Sequence, residues 1–272
     1  MRAYPADMPW AIVQTKNQAY AIATQDMREM VVMPAVARVP NVPDYIRGVI
    51  NLRGRVMPLA DLRRRMGLTS ALEETEGFCT MMQQREQDHR NWLNELESSV
   101  KQRRPFTLAT DSHKCAFGKW YDTYHADNPW VAALLKKFDA PHKQVHAVAV
   151  EVEKLKAKGE HESAEECVTR ARNGVLAKLL KLFADLRDLV HETERETAVV
   201  LTHENKVYAV SVDLALSIEK FAPGSIEGVS ALVPIADDGI VRRLGKRAKN
   251  NDVVLIIETD HLMSRCELDA VL

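Results

Sequence analysis

The sequence predicts an α+β multidomain chain, in which a β domain is split by an inserted four-helix bundle. Three observations predict it. Residues 1–70 read as short apolar strands punctuated by Gly48, Gly54, Pro34, Pro40, Pro43 and Pro58. Residues 71–195 carry helical runs, and FCTMMQQREQDHRNWLNELESSVKQR continues without a Gly or Pro. From 196 to 272 strand patterns return. Either β half alone is marginal for burying a core. One β domain built from both halves, with the helical segment inserted in a loop, is the economical arrangement.

Taken in order, WAIVQT and AYAIAT read as a hairpin turning at KNQ. MVVMPAVARVP and YIRGVINLRGRVMPL continue the strand pattern, and DLRRRMGL is a short helix stopped near Gly67. The next helix opens at TSALEETE, where Thr69 or Ser70 can cap and glutamates favour the first turn. RRPFTLATDSH is a loop. CAFGKWYDTYH and NPWVAALLKKF read as shorter helices, the second with Asn128 as cap and Pro129 at its first position. APHKQVHAVAVEVEKLKAKG ends at Gly159 with lysines in its last turn. ESAEECVTRARNGVLAKLLKLFADLRDLVHETERE is a long helix. TAVVLTHENKVYAVSVD is a second hairpin, turning at Glu204-Asn205, and DVVLIIETDHLM is a strand leading into a short helix. The segment between them is mixed, and its basic stretch 242–249 reads as a solvated loop, with contact to an acidic partner as the lesser reading.

The bulk numbers exclude several classes. A formal net charge of -1 gives no bias toward nucleic acid or anionic membranes. No apolar run approaches the roughly 18 residues of a membrane span. The first residues lack the apolar core of a signal peptide, so the expected compartment is the cytoplasm. There the scattered cysteines do not suggest a disulfide framework, and Cys79, Cys167 and Cys266 read as small buried hydrophobes.

Cys115 keeps different company. His142 and His146 stand four apart in a helical segment, which puts both imidazoles on one helix face. His89 lies in another helical run, and Cys115 lies where a turn meets a short helix. Bundle cores collect metal ligands from facing helices in this way. Three imidazoles and a thiolate suit a tetrahedral Zn2+ ion, with the thiolate disfavouring calcium or magnesium. Four protein ligands leave no open position for hydrolytic water, and the cysteine adds a redox-sensitive atom. His113 and His125 compete for the site but read as surface residues, as do His161, His191, His203 and His261. A metalloenzyme or dioxygen-binding bundle with an open metal position, and a purely structural zinc site, remain alternatives.

In this order and spacing, DHRNW, HKCAFGKWY and PHKQVH resemble the chemoreceptor zinc-binding domain family over roughly residues 75 to 192. The resemblance implies zinc held by His89, Cys115, His142 and His146, and a zinc-bound cysteine that senses oxidants such as hypochlorous acid. It places Trp92 and Trp120 at aromatic positions that pack around the site, and it implies a tendency to form a homodimer through the bundle. IRGVINLRGRVMPLADLRRRMGL, flanked by MREMVVMP, KVYAVSVDLALSI and NNDVVLIIETDHLM, resembles a CheW-like coupling domain. That likeness implies two small five-stranded β-barrels without catalytic activity. It also implies a scaffold between chemoreceptors and a CheA-type histidine kinase, recruited to membrane-associated receptor arrays without inserting in the bilayer. By position it marks Glu29, Arg53, Asp61 and Arg63 as partner-binding residues or fold struts. A Glu29 carboxylate facing Arg53 across strands supplies the fixed acceptor a guanidinium needs.

Overall fold

The computed structural model describes residues 4–5, 7–193, 195–203, 206–229, 239–248 and 252–263. The chain divides into two compact units, one of Met1–Glu74 with Glu194–Leu272 and one of Thr75–Thr193. Before the helical segment the first unit contains β1 (Pro9–Thr15), β2 (Gln18–Ala23), β3 (Met27–Val32), β4 (Val36–Ala37), β5 (Ile46–Leu52), β6 (Arg55–Asp61) and α1 (Leu62–Arg65). After it come β7 (Thr197–His203), β8 (Lys206–Val212), β9 (Leu214–Lys220), β10 (Ile226–Gly228), β11 (Val241–Lys246) and β12 (Val253–Ile257).

These strands form two sheets, ordered β10-β11-β12-β2-β1-β9 and β3-β7-β8-β6-β5-β4. Both interleave strands from the two sides of the insertion. β6 runs parallel to β8 with Leu59 opposite Ala209, and β12 runs parallel to β2 with Leu255 opposite Tyr20. Neither half of the chain supplies a complete sheet, so both halves are needed to build this β domain. Each sheet has six strands rather than the five expected of each barrel, because the short edge strands β4 and β10 add to them. The cores of the unit are aliphatic and aromatic: Trp10, Ile12, Ile22, Leu59, Leu62, Tyr208 and Ile256 are buried. The Glu204-Asn205 turn and Cys266 lie outside the described residues.

Residues 242–246 of the basic stretch are strand rather than solvated loop. They belong to strand β11, and three basic side chains in and just after it have acidic partners. Arg243 is buried against Glu258 at 2.6 Å, Lys246 pairs with Glu227 at 2.9 Å, and Arg247 pairs with Glu219 at 2.5 Å. The partners lie on other segments of the same unit, so the charge run alone carried no sign of them.

Helix α2 (Ala71–Lys101) starts inside this unit. Ser70 caps it reciprocally: Glu73 N–H donates to Ser70 Oγ at 3.1 Å, and Ser70 N–H donates to Glu73 Oε2 at 3.4 Å. Its first turn is also held by charge. Arg63 donates twice to Asp213, at 2.8 and 2.6 Å, and once to Glu74 at 2.5 Å, while Lys16 reaches Glu74 at 2.7 Å. Burial alone would lower the Arg63 pKa, but the hydrogen bonds and charges of Asp213 and Glu74 raise it. Replacing Arg63 by methionine removes the bidentate partner of Asp213 and one of the two cations on Glu74. We expect a loss of about 2 kcal/mol, below the about 3–5 kcal/mol of a fully buried pair because Glu74 is half exposed. Urea unfolding measures it, and an unchanged midpoint would show that the network contributes nothing.

The second unit contains the rest of α2 with α3 (Ala116–Tyr121), α4 (Pro129–Leu135), α5 (Asp139–Ala157), α6 (His161–Ala171) and α7 (Ala177–Thr193). A π-helical turn at Arg172–Leu176 joins α6 to α7, so that the predicted long helix is one rod with a local bulge. The long members are therefore α2, α5 and the α6–α7 rod, and the two short helices α3 and α4 share the fourth place. Asn128 Oδ1 accepts Trp130 N–H at 2.9 Å with Pro129 at the first position of α4, and Gly159 takes a φ of 80° after α5. Leu93, Leu96, Phe117, Phe138, Val145, Val152, Leu179, Phe183 and Leu186 fill the core.

Candidate metal centre

His89 stands in the middle of α2, and His142 and His146 one turn apart on α5. Cys115 is the N-cap of α3, where the chain turns out of a short 3-10 segment at 112–114. One ligand atom from each of the four residues lies within 4.8 Å of every other. The three histidines are buried and Cys115 is partly buried.

Backbone carbonyls set the histidine tautomers. His89 Nδ1 lies 2.7 Å from the carbonyl of Arg85, one turn back in its own helix. His146 Nδ1 lies 3.2 Å from the carbonyl of Ala109. A carbonyl only accepts, so each Nδ1 carries the proton and each Nε2 keeps its lone pair. Both Nε2 atoms are buried and have no hydrogen-bond partner. A buried, unpaired acceptor costs about 1–3 kcal/mol, so two of them aimed into one cluster fit a cation that takes both lone pairs. His142 Nε2 lies 3.2 Å from Cys115 Sγ. The sulfur accepts Gly118 N–H at 3.2 Å, from the first turn of α3.

The electrostatics favour the same occupant. Burial first, then the neighbouring imidazoles His89 and His146, push the His142 pKa down to about 3. Burial and then His89 push His146 down to about 4 against the opposing pull of the Ala109 carbonyl. Burial lowers His89 as well. At neutral pH all three rings are therefore uncharged and able to ligate. Burial pushes the Cys115 thiol up, opposed by the amides of Gly118 and Phe117. Three imidazoles and one sulfur are the donor set of a closed zinc site, in which the ion would tie together three chain segments and deprotonate the thiol.

A pH dependence follows. The folded histidines titrate below their unfolded value of about 6.5, at about 3 and 4 for His142 and His146. Between those values the unfolded chain binds more protons, so stability rises with pH. The metal-free helical unit should lose stability as pH falls from about 6.5 toward 4, by several kcal/mol at most. Circular dichroism melts of metal-free protein check this; a flat melting temperature across that window would contradict it.

The packing around the cluster is aromatic. Phe117 meets His142 edge to face at 4.9 Å between centroids and also touches Phe138 and Phe183. Trp92 packs on His146 at 4.9 Å, and its indole N–H donates to Ala109 O at 2.8 Å. Trp120 lies farther out, stacked on Tyr124 at 4.5 Å. His113 is not in the cluster: its exposed ring pairs with Asp122 at 2.9 Å. His125 is likewise exposed, bonded to the carbonyl of Thr123. Cys79 and Cys167 are buried in the hydrophobic core. The carbonyls of Arg85 and Ala109 were invisible in the sequence, because a backbone acceptor has no side-chain signature. A tryptophan at position 92 that packs in the core needs an acceptor for its indole N–H, a signal that could have pointed to the loop.

The four residues marked on the β unit divide into two kinds. Arg53 sits at the tip of the β5–β6 hairpin with a φ of 52°, followed by Gly54 at 85°. Its side chain is 83% exposed and meets Glu29 at 3.2 Å, a surface pair that contributes at most about 1 kcal/mol. Asp61 is fully buried and caps α1, accepting Arg64 N–H at 3.1 Å, and Arg63 is the buried hub described above. Asp61 and Arg63 hold the fold, whereas Glu29 and Arg53 lie on its surface.

Residues 10–89 match the family described as CheW-like domain, and residues 89–153 match the family described as chemoreceptor zinc-binding domain. The Chemotaxis protein CheW of Helicobacter pylori is 29% identical over 85 residues, which cover 31% of this chain and 52% of that protein. The Chemotaxis protein CheW of Bacillus subtilis is 40% identical over 57 residues, covering 21% of this chain and 36% of that protein. The chain thus spans about half or less of the length of the curated relatives it matches. The crystal structure of scaffolding protein TtCheW from Thermoanaerobacter tengcongensis aligns with a TM-score of 0.44 at 12% identity, over 94% of this chain and 92% of that one. No helix among the described residues is long and apolar enough to cross a membrane.

Proposed function

We propose that this chain, which joins a CheW-like domain to a chemoreceptor zinc-binding domain, is a non-enzymatic adaptor in chemotaxis signalling. In this reading it works in the cytoplasm, links chemoreceptors to a CheA-type histidine kinase, and reports on oxidants or zinc through the metal centre. His89, Cys115, His142 and His146 hold the zinc ion. The observation that carries the reading is the convergence of these four ligand atoms within 4.8 Å. It is supported by α2, which supplies His89 to the helical unit and its own capped first turn to the β unit.

Cys115 is the chemical entry point. Hypochlorous acid oxidises its thiolate by two electrons: the sulfur takes up the oxygen with its proton, and chloride leaves. The product, a sulfenic acid, is a weaker and uncharged ligand. Loss of that ligand loosens the capped start of α3 and the hold on His142. The reading then requires that α2 feel this change and bias the partner-binding state of the β unit.

The test is reconstituted kinase coupling with wild type and Cys115→Ser, each with and without hypochlorous acid. Wild type should change its coupling on oxidation and Cys115→Ser should not. Equal responses would end the sensor proposal and leave the adaptor proposal standing. Failure of both proteins to bind receptor or kinase would end the adaptor proposal.

A further inference from the structure

One exposed loop performs a buried task beside the metal centre. Residues 102–111 join α2 to the short turn before Cys115, and Thr107, Leu108, Ala109, Thr110 and Asp111 are all exposed. Yet the carbonyl of Ala109 receives two donors from the interior: His146 Nδ1 at 3.2 Å and Trp92 Nε1 at 2.8 Å. Trp92 is 6% exposed, packs on the His146 ring, and is met edge-on by Phe106 of the loop at 5.1 Å. Lys156 fastens the start of the loop by donating to the carbonyl of Arg104 at 2.7 Å.

We propose that Trp92 is a positioning residue for the metal and that the 102–111 loop is a strap whose closure is linked to zinc binding. This rests on the zinc reading above. His146 can present its Nε2 lone pair only while Nδ1 holds the proton, and that proton needs an acceptor. Among the described residues its acceptor is the carbonyl of Ala109, on a loop that is otherwise solvated. The indole N–H takes the second lone pair of the same oxygen and so fixes where that oxygen points. Linkage makes the effect reciprocal: whatever factor loop closure adds to zinc affinity, zinc adds to loop closure.

The test uses the full chain. Zinc affinity is measured by competition with a chromophoric chelator for wild type, Trp92→Phe, His146→Ala and the double variant. Phenylalanine keeps an aromatic ring and removes the donor. Trp92→Phe should weaken zinc binding about tenfold, the lower end of what loss of such a supporting partner does. The loss should vanish in the His146→Ala background, because the residue acts through that ligand; a packing role would persist there. Hydrogen exchange of wild type should show the amides of 103–111 exchanging several-fold faster once zinc is removed, a readout that stands even if Trp92→Phe fails to fold. The proposal is overturned if Trp92→Phe binds zinc within twofold of wild type, if its loss is equal in the His146→Ala background, or if loop exchange ignores zinc. Wild type that binds no zinc would overturn the metal reading together with it.

Discussion

His142→Ala should weaken zinc binding about a hundredfold. A closed four-ligand zinc site in a small peptide is worth roughly 10–16 kcal/mol, or about 3 kcal/mol for each ligand, and 3 kcal/mol is about a hundredfold in a dissociation constant. His142 is the informative ligand because its Nε2 already lies 3.2 Å from Cys115 Sγ, so its removal opens the cluster beside the sulfur. The same substitution at His113, which is exposed and pairs with Asp122, should leave affinity unchanged. Chelator competition on both variants checks the pair of expectations. Equal affinities for His142→Ala and wild type would mean that the four residues do not share an ion.

The second large effect is expected at Gly118. A Cβ there would stand 1.9 Å from the carbonyl oxygen of Ser112 and 2.9 Å from its carbon. Both are backbone atoms, so no side chain can swing aside. Gly118 also donates its amide to Cys115 Sγ, and the carbonyl of Ser112 lies 3.3 Å from the same sulfur. Gly118→Ala must therefore push the turn away from α3 and move the cysteine. Forced overpacking costs about 1–3 kcal/mol and occasionally more; we expect about 3 kcal/mol here, with a parallel loss of zinc affinity. Denaturant unfolding of the metal-free protein measures the first and chelator competition the second. A stability within about 0.5 kcal/mol of wild type, the range of a neutral surface change, would contradict the close approach.

Much of this was legible in the residues. The Asn128-Pro129 helix start, the Ser70 cap and the Gly159 stop follow from short-range chemistry and appear as expected. The metal cluster was legible because its side chains are chemically rare and two of them share a helix face. The illegible parts depend on long-range partners. Arg243 and Arg247 read as solvent-exposed until Glu258 and Glu219 are placed beside them. Arg63 reads as one arginine in a run of three, yet it alone is the buried hub for Asp213, which lies 150 positions away. The carbonyls of Arg85 and Ala109, which decide which histidine nitrogen faces the ion, are backbone atoms that any residue would supply.

X-ray absorption at the zinc edge, on the 272-residue chain loaded with one equivalent of zinc, reads the coordination sphere itself. A zinc ion held by His89, Cys115, His142 and His146 gives one sulfur at about 2.3 Å and three imidazole nitrogens at about 2.0–2.1 Å, with the sulfur shell absent in Cys115→Ser. A first shell of oxygen ligands, or a sulfur shell that survives Cys115→Ser, would contradict that ligand set.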